Sequence, residues 1–493
     1  MHDSSSLSQN LFLKAHMQNG DLYVLHDSWK IDTLKQTIAG HGEKYNYNRR
    51  LLNTDEFTIP IDSVAIFETN KKLEGTEESR IKGLSVLAGL DVVLGVICLT
   101  VPKACFGSCP TFYTNPNDNF HDANAEGFSN AVTPSLEYTD IDDLKHVQKS
   151  SSQFSLWMKN EALETHCIKD ITILAVPTNA GESALQGADG QFYISEKKYP
   201  PAKAVVDGVE ITSKLRDDDR IEWRSEADST NLSAKQEVII DFENIVNTEN
   251  LGLSITFRQS LLVTYLFYSV MGYAGDQVSD LFAAIETKPQ FMERLNNGIK
   301  KELGNIEVYY LNAEGKEWIH GGSFYEEGPI SRNKQVLALG KFNGNTAKIK
   351  LVLTKGFWRI DDCQLVELKS TTTPISIKPT AVFKDGQVSV KARNELLNNK
   401  KYLISMPGDE YEMVFELPDY EGEFSLFLAS TGYYLEWMRE QWIKDQDWSK
   451  IFQVLYRPKH FLKQQAPYYK AHEAQMESDF WNSKIDTKSF SYD

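Results

Sequence analysis

Cys105 and Cys109 are separated by Phe-Gly-Ser and followed by Pro110, a turn-forming context that brings two thiols within reach of each other. In an oxidising compartment such a pair closes a small disulfide; in a reducing one it stays as two structural thiols, and both readings remain open. Zinc would need two further ligands, and His166-Cys167, adjacent in sequence, supplies them poorly, so no metal is expected. The stretch NPNDNFHDANAE, 115–126, imitates calcium-loop spacing, but Phe120 stands where the sharp turn needs Gly. It reads better as a hairpin turn. NEALETH, 160–166, carries Glu161, Glu164 and His166 but neither zinc-protease spacing, and reads as a partly exposed strand. No nucleophile elbow, P-loop or dinucleotide fingerprint occurs, so no catalytic, cofactor-binding or metal-ligating residue is assigned and no cofactor is expected. A hydrolase would have to assemble its site from distant residues such as Glu164, His166 and Asp361. Phe357-Trp358-Arg359 and the aromatics Tyr433, Tyr434, Trp437, Trp442, Trp448 and Trp481 offer stacking surfaces, although at helical spacing such rings are usually core or docking residues.

The elements that must position these residues are mostly strands. With 493 residues the chain is too long for one core, and 41% hydrophobic against 25% charged residues is an ordinary globular composition. Short alternating runs such as DLYVL, FSLWMKN, ITILAV and AKIKLVLTKG are separated by turn dipeptides, among them Asn19-Gly20, Asp189-Gly190, Asp207-Gly208 and Asp385-Gly386. RQSLLVTYLFYSVMGYAG carries no charge after Arg258 and predicts a buried helix, followed by two shorter helices to Gly304. GYYLEWMREQWIKDQDW, 432–448, and PYYKAHEAQMESDFWNS, 467–483, predict surface helices that wrap a β-domain. The expected fold is therefore mainly β, α+β overall, with several β-sandwich or barrel-like domains, a central helical insertion and a helical C-terminus. The expected division is a small β-domain at 1–75, a charged linker and apolar segment at 76–103, a β-domain at 104–235, an α+β domain at 236–370 with helices near 258–303, a β-domain at 371–430 and C-terminal helices at 431–493.

Gly83–Pro102 is long enough to cross a bilayer. Its eleven Leu, Val and Ile favour insertion by roughly 3 to 7 kcal/mol, which Asp91 near the centre offsets by about 3 kcal/mol. A buried helix or hairpin, packed in the protein or against a partner through Asp91, is the favoured reading, with membrane association through 83–102 as its rival. A net charge of −17 opposes sequence-independent binding to nucleic acid or anionic lipid. The opening MHDSSSLSQN holds no apolar run, so no leader is expected in it.

KACFGSCPTFY, SLEYTDIDDL, KNEALETH, LTKGFWRID, PGDEYEMVFELP and GYYLEWMREQW together resemble a family of uncharacterised bacterial cell-envelope proteins. The resemblance spans most of the chain and implies an envelope location, periplasmic or at the outer surface. The family has no assigned activity, so no site residue is carried across, and Asp91 interrupts the apolar run that precedes its SCP string. The expected function is a non-enzymatic envelope scaffold that binds a protein partner or a glycan, with Trp437 and Trp442 as contact residues. The alternatives are the hydrolase above and a membrane-anchored structural component.

Overall fold

The computed structural model describes residues 12–69, 109–144, 152–277, 296–436 and 446–482, with gaps at 18–20, 27–28, 33, 46–50, 119–122, 163, 313–314 and 407, and scattered positions between 281 and 294. Asp91 and the rest of 83–102, Cys105, Trp437 and Trp442 lie outside the described residues. The chain is mainly β, in several sheets with few helices, as its alternating pattern predicts.

Residues 12–69 form a six-stranded antiparallel sheet around a small core of Leu13, Ala15, Leu25, Ile38 and Ile59. Leu22–His26 pairs with Thr37–Tyr45, and at Gly42 a Cβ would fall 1.9 Å from the Val24 carbonyl oxygen, so only glycine lets the strands approach there.

The next unit is a sandwich of two sheets over a common core that includes Phe112, Leu156, Ile171, Met413 and Leu428. One sheet contains Gln153–Lys159 and Glu410–Glu416; the other contains Tyr138–Asp143, Glu164–Thr178 and Glu423–Glu436. Gln153–Lys159 pairs along its whole length with Glu410–Glu416, and Glu164–Thr178 does the same with Glu423–Glu436. The strands expected to make a separate domain at 371–430 are therefore partners of strands from 109–178. The local pattern reports each strand but says nothing of a partner some 250 residues away.

Between these halves of the sandwich the chain builds a closed barrel from Ser183–Gly187, Phe192–Tyr199, Leu251–Gln259, Asn333–Gly340 and Trp358–Thr372. A further six-stranded sheet, in which Lys235–Phe242 pairs with Ala347–Thr354, shares the barrel's core. Leu251–Gln259 alternates Leu251, Leu253, Ile255 and Phe257 with Gly252, Ser254, Thr256 and Arg258, yet it is buried at every position, because both of its faces are covered.

Four helices complete the described fold that matters for the site: α1 (Leu262–Ala274), α2 (Val390–Leu396), α3 (Trp448–Tyr456) and α4 (Pro458–Asn482). The predicted helix over 432–448 is corrected at its start: 432–436 continue the strand Glu423–Glu436, where Tyr433 and Tyr434 pair with Cys167 and His166. Pairing with a long buried strand outweighs the weak helical spacing of the aromatics. α4 lays Phe461, Leu462, Tyr469 and Phe480 into the barrel core, the wrapping its pattern predicts.

α3 starts at Asp447, whose Oδ1 accepts the backbone N–H groups of Ser449 (3.0 Å) and Lys450 (3.4 Å). The Asp447 N–H donates to the Tyr273 carbonyl at the end of α1, 2.9 Å away, which sets the two helices side by side. Asp447→Ala should cost about 1 kcal/mol in urea unfolding, while Asp447→Asn should cost much less. Little or no loss in Asp447→Ala would show that the cap contributes little.

Candidate functional site

Leu251–Gln259 runs straight into α1, and the turn is fixed by Ser260, whose hydroxyl donates to the Gly356 carbonyl (2.6 Å) and accepts the Leu262 N–H (3.2 Å). α1 is apolar all round because it has two apolar surroundings. Leu262 and Leu266 enter the barrel core, while Phe267, Tyr268 and Val270 face towards the other helices. Between α1, α3 and the 129–138 and 325–330 segments lies a cavity of about 640 Å³, walled by Leu266, Val270, Met271, Leu281, Val454 and Leu455. That volume falls within the range of small-molecule pockets, roughly 300 to 1,000 Å³.

A few polar groups interrupt this lining. Lys300 Nζ donates to Glu327 Oε1 at 2.8 Å and sits 4.3 Å from the Tyr325 ring centroid. Glu137 accepts from Lys169 Nζ at 2.5 Å and from Tyr402 Oη at 2.6 Å. Tyr268 Oη donates to Glu436 Oε2 at 3.0 Å. The Arg294 guanidinium stacks on the Tyr456 ring, 4.1 Å from its centroid, and its buried Nη1 has no hydrogen-bond partner among the described residues. Cys109 also lines the cavity with a free, buried thiol, while its expected partner Cys105 lies outside the described residues. Burial, reinforced by the charges of Glu164 and Glu126, pushes the Cys109 thiol up, away from the thiolate that nucleophilic chemistry needs. Burial likewise raises Tyr138 and Tyr325, leaving both as neutral hydroxyls.

Behind this wall lies a second constellation, the buried carboxyls Glu126, Asp140, Asp142 and Glu326. Glu126 Oε1 accepts the Ile330 N–H at 3.0 Å, and Asp140 Oδ2 accepts from the Phe128 N–H at 3.0 Å and Tyr138 Oη at 3.2 Å. Glu326 Oε2 accepts from Asn333 Nδ2 (2.6 Å) and Gln335 Nε2 (2.9 Å). Asn333 also reaches across to the Ile141 carbonyl (2.9 Å) and accepts the Asp143 N–H (3.0 Å), joining barrel to sandwich. Burial pushes Glu126 and Glu326 up to about 8 and carries Asp140 and Asp142 well above the usual carboxylate range. Gly328, at φ +103°, passes over the cluster where a Cβ would lie 1.8 Å from Glu126 Oε1. No group of metal-ligating side chains in a metal-holding arrangement occurs among the described residues.

Of the three residues named for a hydrolase, Glu164 and His166 meet, while Asp361 has other partners. Glu164 Oε1 and His166 Nε2 lie 2.9 Å apart on one face of their strand, both side chains fully buried, where a partly exposed strand was expected. Consecutive side chains of this strand point to opposite faces of the sheet, and Glu164 through Ile168 are all buried, so both faces are covered at this point. Asp361 belongs to the barrel, where it accepts from Arg332 Nη1 at 2.6 Å and from the Arg220 N–H at 3.1 Å. Of the proposed stacking aromatics, Phe357, Trp358 and Tyr433 are core residues, and Arg359 is tied to Glu222 and Glu477. Tyr434 lies at the cavity wall and donates to the Ser129 carbonyl at 3.0 Å. Sequence reasoning missed Arg294, Lys300, Glu327 and the buried carboxyls. Their only local signal is the acidic pair before Gly328-Pro329, and each of the others lies far from it in sequence.

No protein family model matches the chain, and no curated protein matches it. Among solved structures, a secreted serine protease, VesC from Vibrio cholerae, is similar over 45% of this chain at 7% identity with a TM-score of 0.13. The chain matches 46% of that protein's length, and a likeness of this size supports no statement about fold or activity.

Proposed function

We propose that this chain is a non-enzymatic binding protein of the cell envelope whose ligand occupies the cavity beneath α1. The observation that carries the reading is the cavity itself: about 640 Å³, walled mainly by Leu, Ile, Val, Met and Phe side chains with a few polar groups at fixed positions. Its chemistry supports binding over bond-making. The thiol of Cys109, which lines the wall, is held protonated by burial, and the Glu164–His166 pair is not among the described lining residues. An apolar body suits the lining better than a glycan, which would leave its hydroxyls without partners.

A Trp at Val270, whose side chain lines the cavity while its helix stays anchored through Leu266 and Leu262, should fill the space. Val270→Trp should lower the affinity for the neutral apolar probe N-phenylnaphthylamine at least tenfold, read by fluorescence titration, with little change in circular dichroism. Undiminished probe binding in that variant would remove the cavity from consideration.

A second reading, the protein-docking scaffold, rests on exposed rings of the C-terminal helices: Phe452 and Tyr456 on α3, 5.9 Å apart, and Tyr468 on α4. Partner capture from envelope extract that is lost in Phe452→Ser/Tyr456→Ser would support it. The membrane-anchored reading rests on 83–102; among the described residues no helix is long and apolar enough to cross a membrane.

A further inference from the structure

The cavity lining carries four formally charged side chains, Glu137, Glu327, Lys300 and Arg294. Lys300 and Glu327 pair with each other at 2.8 Å, and Glu137 is taken by Lys169 at 2.5 Å. Arg294 alone has no carboxylate partner among the described residues, and its Nη1 is buried there without an acceptor. A guanidinium N–H removed from water without an acceptor costs far more than one that meets an anion. The guanidinium carbon lies over the Tyr456 ring, 4.1 Å from its centroid, a cation–π contact that helps hold the group at the cavity wall. Next to this unmatched cation the wall is hydrocarbon: Leu281, Ile285, Ile451 and Leu455, continuing to Val270 and Met271.

From this juxtaposition we infer that the ligand is an anionic amphiphile, a long-chain carboxylate, with its head on Arg294 and its tail along α1 and α3. The inference rests on the binding reading above and names the class of ligand. A carboxylate matches the guanidinium fork through two parallel hydrogen bonds, and each methylene placed in the cavity adds to affinity. The protein's overall charge of −17 works against anions at long range, so selectivity for the acid must come from this one local contact.

The test uses the full chain and displacement of N-phenylnaphthylamine by palmitate, hexadecanol and hexadecylamine, which share a tail and differ in the head. Palmitate should compete at least tenfold more strongly than hexadecanol, and hexadecylamine least well. Arg294→Gln should weaken palmitate about tenfold or more, to the level of hexadecanol, while leaving hexadecanol unchanged. Unchanged hexadecanol competition also shows that the variant is folded. Equal competition by the acid and the alcohol in the unmodified protein overturns the assignment of the head group, and that comparison stands even if Arg294→Gln does not fold. Preference for the amine overturns it as well. Failure of all three to displace bound probe, with no probe loss in Val270→Trp, would sink the cavity reading itself and not merely the head group.

Discussion

Arg258→Met is expected to lower the stability of the full chain by about 3 to 5 kcal/mol, the largest loss of any single substitution considered for this fold. Arg258 is the last charged residue before α1 and is 4% exposed. Its Nε and Nη2 donate to the two oxygens of Glu222 at 2.6 and 2.8 Å, Nη1 donates to the Pro329 carbonyl, and Nη2 lies 3.6 Å from Glu477 on α4. Arg359 bonds the same two carboxylates at 2.9 Å each. Burial works against the charge on Arg258, but Glu222 and Glu477 outweigh it and raise its pKa. Glu222 shows the complementary balance: burial alone would raise it, and Arg258 and then Arg359 bring it below the usual carboxylate range. Removing Arg258 leaves two carboxylates in a poorly hydrated site with one cation between them. Adding Glu222→Gln to Arg258→Met should restore part of the loss, because the orphaned charge goes with it. Urea unfolding followed by tryptophan fluorescence measures both. Losses that simply add would show that the two side chains do not act as a pair. The depressed Glu222 also fixes a sign: its contribution is present above its unfolded pKa near 4.5 and is lost as pH falls through the lower folded value.

Much of this architecture was legible because strands and turns are local. The alternation in DLYVL and AKIKLVLTKG, and the Asp-Gly dipeptides, mark strand and hairpin positions that the fold uses; Asp207 and Gly208, for example, both take positive φ between Lys203–Val206 and Val209–Glu210. The α1 segment was legible as a helix from its uninterrupted apolar run. What was not legible depends on distance. Nothing in 410–436 announces that its strands complete a sandwich begun near residue 153, and 432–436 look helical until Glu164–Thr178 claims them as a strand. The candidate site was hidden for the same reason. Its wall draws on 109–138, 259–303, 325–357 and 434–455, four stretches with no shared spacing, and Arg294 is set apart by the acceptor it does not find among the described residues. α1 reads as a fully buried helix, although Val263, Leu266, Phe267, Val270 and Met271 line the cavity. Hydrophobicity records that water is excluded, not what excludes it.

The buried carboxyls make the opposite prediction to the Arg258 network: here removing a potential charge should stabilise. Glu126→Gln is expected to raise stability by on the order of 2 to 3 kcal/mol at pH 7 and to flatten its dependence on pH. Glu126 has a folded pKa of about 8 against an ordinary value of 4.5, because burial opposes its charge more than the Ile330 N–H supports it. A carboxyl raised in the folded state contributes stability that is fully present below its unfolded pKa. That contribution shrinks as pH rises from about 4.5 to 8, where the unfolded chain has released the proton and the folded chain still holds it, and the loss is complete above. Gln at this position is the neutral form made permanent. Its carbonyl can still accept the Ile330 N–H, and its amide takes the place of Oε2, which has no partner among the described residues. Glu326→Gln separates the charge effect from the hydrogen bonds. Glu326 Oε2 accepts from both Asn333 and Gln335 while Oε1 accepts the Glu327 N–H, so an amide there must lose at least one of these and should gain less. Urea midpoints measured from pH 5 to 9 decide the matter through the difference between variant and parent, in which the titration of the histidines cancels. Parallel curves for Glu126→Gln and the unmodified chain would mean that Glu126 is ionised in the folded protein. The barrel and sandwich would then be joined across a buried negative charge instead of a proton-holding carboxyl.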